Sequence, residues 1–116
     1  MNMKTIDGQA EDQLKERFLE AWQTGHGGSA ERVHLLTAQD SLAVIIPKAM
    51  YQAEITLFKN TSHSAKVLDQ YLRSLLETIS DELQPEIEEY AGREISDMVP
   101  LIDLKAGYIT ALYRFR

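Results

Sequence analysis

LDQYLRSLLETISDELQPEIEEY, residues 68–90, sets apolar side chains at Leu68, Tyr71, Leu72, Leu75, Leu76, Ile79, Leu83, Ile87 and Tyr90. That three-four spacing is one stripe of an α-helix, and it reaches back to about Ser64. Gly92 ends the stripe, and beyond it the period changes to two. In Tyr108–Phe115, Ile109, Ala111, Tyr113 and Phe115 alternate with Tyr108, Thr110, Leu112 and Arg114, as in a strand with one buried face. Glu94–Leu104 pairs with it as a hairpin turned by Lys105-Ala106-Gly107. Pro100 lacks an N–H to donate, which puts the first of these strands at an edge or a bulge. A straight helix over residues 64–90 is ~40 Å long at ~1.5 Å per residue. A compact domain of this size has a radius of gyration of only ~13 Å. The helix must therefore bend at Pro85, be covered by a second subunit, or both.

Upstream, the same two periods recur. Leu14, Phe18, Ala21 and Trp22 form an apolar stripe over residues 10–24, with Asp7 as a candidate N-cap and Gly25 as the expected stop. Gly25-His26-Gly27-Gly28-Ser29 reads as a turn. Arg32–Ala38 and Ser41–Pro47 then read as two strands joined at Gln39-Asp40, the second continuously apolar from Leu42 to Ile46 as in a sheet interior. Residues 49–59 fit both a strand and a short helix, and helix is the preferred reading. Asn60-Thr61-Ser62 breaks the chain and caps the long helix after it. The expected fold is α+β: two antiparallel hairpins forming one sheet, with helices on one face, in helix-hairpin-helix-hairpin order. Residues 1–9 are read as a flexible lead and residues 10–116 as one domain.

Composition narrows function mainly by exclusion. The chain of 116 residues has no cysteine, so disulfides, thiolate metal sites and cysteine nucleophiles are ruled out. No apolar run approaches the roughly 18 residues of a membrane span, so a cytoplasmic protein without direct membrane insertion is expected. The net charge is −6. Residues 62–97 hold 9 acids and 3 bases, residues 98–116 hold 1 acid and 3 bases, and so the acidity lies in the long helix. An acidic protein repels phosphate backbones, which argues against nucleic acid as a partner.

Local candidates for a site are few. Gly25, His26, Gly27 and Gly28 form the one glycine-rich turn, where backbone amides are open to a small ligand or anion. No strand precedes it and no Lys-Ser/Thr comes after it, which excludes the nucleotide-binding glycine motifs. His26, His34 and His63 lack metal-ligand spacing; no metal or cofactor is expected. Glu82, Glu86 and Glu89 share one helical face, which reads better as a docking surface for a basic partner than as an acid/base pair. No nucleophile motif is present, and a non-enzymatic role is expected.

Taken in order, Gly25-His26-Gly27-Gly28, Ala53-Glu54, Tyr90-Ala91-Gly92-Arg93 and Lys105-Ala106-Gly107 make the chain resemble the MpsC-like family of small bacterial domains, over about residues 10–115. His26 and Gly28 depart from it, standing where arginine and proline are usual, and Tyr51-Gln52 stands where threonine-proline is usual. The resemblance implies an accessory or regulatory partner of a sodium-coupled membrane transport system linked to inorganic carbon, with a membrane-transporter subunit as partner. It implies no catalytic residues. The overlong helix and the apolar second hairpin point to a homodimer, with Glu82, Glu86, Glu89, Tyr113 and Phe115 as the expected partner-facing or dimer-facing residues. The alternative is a small-ligand or anion sensor built on residues 25–28.

Overall fold

Leu42, Val44 and Ile46 are fully buried while Ser41, Ala43 and Ile45 between them are only partly covered, so the second strand has a packed face and an open one. It sits in a computed structural model that describes residues 3–27, 30–60 and 62–116. The elements run α1 (Met3–His26), β1 (His34–Thr37), β2 (Ser41–Ile46), α2 (Gln52–Asn60), α3 (Ser62–Ala91), β3 (Ile95–Asp103) and β4 (Tyr108–Phe115). The α+β class holds, as does the helix preferred for residues 49–59. Two helices, not one, separate the hairpins.

The four strands form one antiparallel sheet in the order β1-β2-β4-β3. The central pair joins the two hairpins, with Leu42 opposite Tyr113 and Val44 opposite Ala111. Both outer strands are edges. Pro100 lies on edge strand β3 opposite Ala111, and the one register shift falls earlier, between Ile95 and Asp97. The missing N–H of Pro100 is thus accommodated by the edge.

The core lies between this sheet and the α1–α3 pair. Leu14, Phe18 and Trp22 from α1 and Leu72, Leu76, Ile79, Leu83 and Ile87 from α3 meet Leu42, Val44, Ile46, Ile109, Ala111 and Tyr113, all buried. Phe18 and Tyr113 meet edge to face, centroids 6.1 Å apart, a geometry that the ring quadrupoles favour.

Three sequence expectations change. First, α1 begins at Met3 and continues through Gly25 to His26. The stripe of Leu14, Phe18 and Trp22 gains one more turn because His26 stacks on Trp22. Gly27, at φ +101°, takes the left-handed position expected of Gly25, and its N–H donates to the Gln23 carbonyl at 2.9 Å. Second, α3 is 30 residues long and is one helical element through Pro85. The molecule accommodates it by being elongated, 54 × 27 × 21 Å, so the length does not itself require a second subunit. Third, Tyr113 is no surface residue. It is fully buried, and Phe115 is partly buried against the same core. Register explains both: they fall on the helix-facing side of β4 with Ile109 and Ala111.

Candidate functional site

The glycine turn comes first, since it was the leading ligand candidate. His26 leaves the end of α1 with its imidazole sandwiched between Trp22 (4.9 Å, 18° between planes) and Tyr51 (5.1 Å, 19°). Its Nε2–H donates to Glu54 Oε1 at 2.8 Å, and the side chain is 1% exposed. The same carboxylate oxygen accepts the Tyr51 backbone N–H at 2.8 Å. Tyr51 directly precedes α2, so Glu54 caps that helix in the manner of a capping-box glutamate while holding His26. The Tyr51 hydroxyl in turn donates to the Gly27 carbonyl, and Trp22 Nε1–H donates to the Ala49 carbonyl at 3.1 Å.

These contacts give Gly25 and Gly27 a packing reason. A Cβ on Gly27 would come within 2.8 Å of the Tyr51 hydroxyl, and one on Gly25 within 2.6 Å of Leu75 Cδ1. The residue standing where resembling proteins carry arginine grips a carboxylate of its own chain, in Ala53-Glu54. Gly28 lies outside the described residues. Among the described residues the buried His26 Nδ1 has no hydrogen-bond partner, and the ring is closed in by its two aromatic neighbours.

A second arrangement runs along the α1–α3 seam. A groove of about 610 Å³ is lined by Gln13, Leu14, Glu16, Arg17, Glu20, Glu86, Glu89 and Tyr90, among others. A smaller one of about 280 Å³ continues it past Arg17, Glu20, Thr24, Gly25 and Glu82. The structure therefore brings all three predicted glutamates, Glu82, Glu86 and Glu89, to one seam. It adds Glu16 and Glu20 from α1, which sequence reasoning did not connect to them. Arg17 sits between, 3.6 Å from Glu86 and 3.7 Å from Glu20. Glu88, next to them in sequence, is occupied elsewhere: it accepts the Ile95 N–H at 2.8 Å, where β3 begins.

Charge is divided between layers. The three helices carry 13 acidic and 6 basic residues, a net −7, and the rest of the chain carries 5 and 6, a net +1. Gly25 borders the smaller groove, where two carboxylates and one guanidinium disfavour an anion. Among the described residues no group of three or more His, Asp or Glu is placed to hold a metal ion.

The other family strings also have structural duties. Gly92 (φ +69°) ends α3, its N–H donating to the Glu88 carbonyl at 2.8 Å. Arg93 then donates to the Gln39 and Arg116 carbonyls and to Asp40 Oδ1, tying the helix end to the β1–β2 turn and the last residue. Gly107 (φ +77°) closes the β3–β4 turn, with Asp103 Oδ1 accepting the Lys105 and Ala106 N–H groups.

Helices on one face of an open antiparallel sheet, with an acidic helical seam and no described helix long and apolar enough to cross a membrane, define an α+β domain with a charged outer surface. The chain matches the family model described as the Na+-translocating membrane potential-generating system (MpsC) over residues 7–116, and it belongs to that family. Searches of curated proteins and of solved structures returned no match.

Proposed function

We propose that this chain is a non-enzymatic accessory or regulatory subunit, acting as a homodimer on the cytoplasmic side of a sodium-coupled membrane transport system. It docks there through the α1–α3 seam. The observation that carries the reading is the concentration of charge: a net −7 in the helical layer, with Glu16, Glu20, Glu82, Glu86 and Glu89 lining connected grooves. Cytoplasmic loops of membrane proteins carry an excess of lysine and arginine, whereas the cytoplasmic leaflet is anionic. An acidic helical face is repelled by the lipid and attracted to those loops, so charge favours a protein partner at the membrane over the membrane itself. Family membership supports a role beside a Na+-translocating system.

The test is affinity capture from detergent-solubilised membranes of the native host, with the full chain as bait. A polytopic membrane subunit retained at low salt by the wild type, and lost from Glu82→Gln/Glu86→Gln/Glu89→Gln, is the expected result. Retention of that subunit equally by both baits would refute docking through the seam.

A further inference from the structure

Among the described residues the sheet is packed on one side only. Its other face falls into rows across the strands. Leu36, Ala43, Leu112 and Val99 are successive register partners, and His34, Ile45, Thr110 and Leu101 form the next row. The first row is apolar from edge to edge, where the solvated side of an antiparallel sheet is commonly polar. Leu36 is 61% exposed and Leu101 50%. Beyond it lies a polar row of Ser41, Arg114 and Asp97. Arg114 Nε–H donates to Asp97 Oδ1 at 2.7 Å, and this hydrogen bond holds the Asp97 carboxyl below its usual range. An apolar centre with a charged rim is the anatomy of an interface.

We propose that this open face binds a second copy of the chain, sheet against sheet, with the helical layers outermost. The inference rests on the homodimer reading above and supplies its surface. Charge selects this arrangement: two chains of net −6 repel, and the repulsion resides in helices on the far side of each sheet. Joining the open faces brings together strands whose charged residues are only Asp97, Asp103 and Arg114, a net −1, and keeps the two helical layers of net −7 apart.

The register also permits self-complementarity. A two-fold axis running along the strands between β2 and β4 lays β2 of one copy over β4 of the other and each row over itself. Ala43 of one copy then faces Leu112 of the other, small against large, as isologous packing requires. Four strands ~4.8 Å apart, over six residues of ~3.4 Å, give a flat patch of roughly 400 Å² per copy. Both copies together then supply roughly 800 Å² before side-chain relief is added, below the ~1,200–2,000 Å² of stable complexes. The dimer is therefore reversible and depends on concentration.

Sedimentation equilibrium of the full chain, up to its highest soluble concentration, tests this. The expected result is a mass rising from 13.2 kDa toward twice that value. Leu36→Lys/Leu101→Lys should hold the mass at one chain with an unchanged far-UV spectrum. Both positions are half exposed or more, and Leu36→Lys alone serves if the pair unfolds. Glu82→Gln/Glu86→Gln/Glu89→Gln should dimerise at least as well as the wild type. A wild type monomeric throughout overturns both the homodimer and its surface. A dimer that survives the lysine substitutions overturns the surface alone. Co-sedimentation of a monomeric wild type with phosphatidylcholine vesicles, abolished by the same lysines, would give the face to lipid and overturn the proposal.

Discussion

Replacing Tyr113 by phenylalanine should lower stability at neutral pH and raise it, relative to wild type, in alkali. Tyr113 is fully buried. Ser80 Oγ–H donates to the Leu76 carbonyl at 2.7 Å, which leaves the serine oxygen to accept from the Tyr113 hydroxyl at 2.6 Å. The variant loses that bond but opens no cavity and leaves Ser80 its own acceptor. The cost at pH 7 is about 1 kcal/mol, that of one buried hydrogen bond.

The alkaline side has the opposite sign. Burial raises the Tyr113 hydroxyl well above its ordinary value near 10. Between those two values the unfolded chain has lost the proton and the folded chain keeps it. A folded state that binds more protons loses stability as pH rises, by about 1.4 kcal/mol per pH unit for one group. Starting from an unfolded value of ~10, the wild type has lost about 1 kcal/mol by pH ~10.7. The phenylalanine variant lacks that contribution, and the two stabilities should cross there. Urea unfolding followed by far-UV circular dichroism at pH 7, 9, 10 and 11 reads the difference. Lysines and the other tyrosines are common to both proteins and cancel. A gap that stays constant over the whole range would refute the burial argument, and so would a variant equal to wild type at pH 7.

Two further substitutions probe the aromatic clamp. Glu54→Ala removes the cap of α2 and the acceptor of His26 together, so a loss of about 2–3 kcal/mol in urea unfolding is expected; a loss under 0.5 kcal/mol would show that the His26–Glu54 contact is dispensable. Gly27→Ala places a Cβ at φ +101°, against the Tyr51 hydroxyl. It should cost at least about 1 kcal/mol, or roughly 4–8 °C in melting temperature at this size. A melting temperature equal to wild type would mean that this backbone position is not left-handed.

Much of the fold was legible because its two hydrophobic periods are clean. The stripe from Leu68 to Tyr90 and the alternation from Tyr108 to Phe115 each mark an element and its buried face. What periodicity does not carry is which face meets which partner. Tyr113 and Phe115 share the face of Ile109 and Ala111, but that this face meets the helices of its own chain and not a second subunit has no local signal. The same gap hid the row of Leu36, Ala43, Leu112 and Val99, whose members come from four separate strands. The acidic seam was half visible: Glu82, Glu86 and Glu89 share a helical face, but Glu16 and Glu20 join them only through the packing of α1 on α3. His26 carried the opposite error. A histidine in a glycine turn suggests an open site, yet one more helical turn in the 14-18-22 spacing extends the α1 stripe to it. The spacing of Tyr51 and Glu54 is the signal that could have found its partner.

Recognition of the seam's carboxylates by a membrane partner is the central claim. The measurement is the affinity of the wild type and of Glu82→Gln/Glu86→Gln/Glu89→Gln for the membrane subunit captured from the native host, each taken across a salt series. Weakening of about tenfold in the variant, equal to ~1.4 kcal/mol, is predicted, together with a flatter salt dependence than that of the wild type. Equal affinities with equal salt dependence would contradict it.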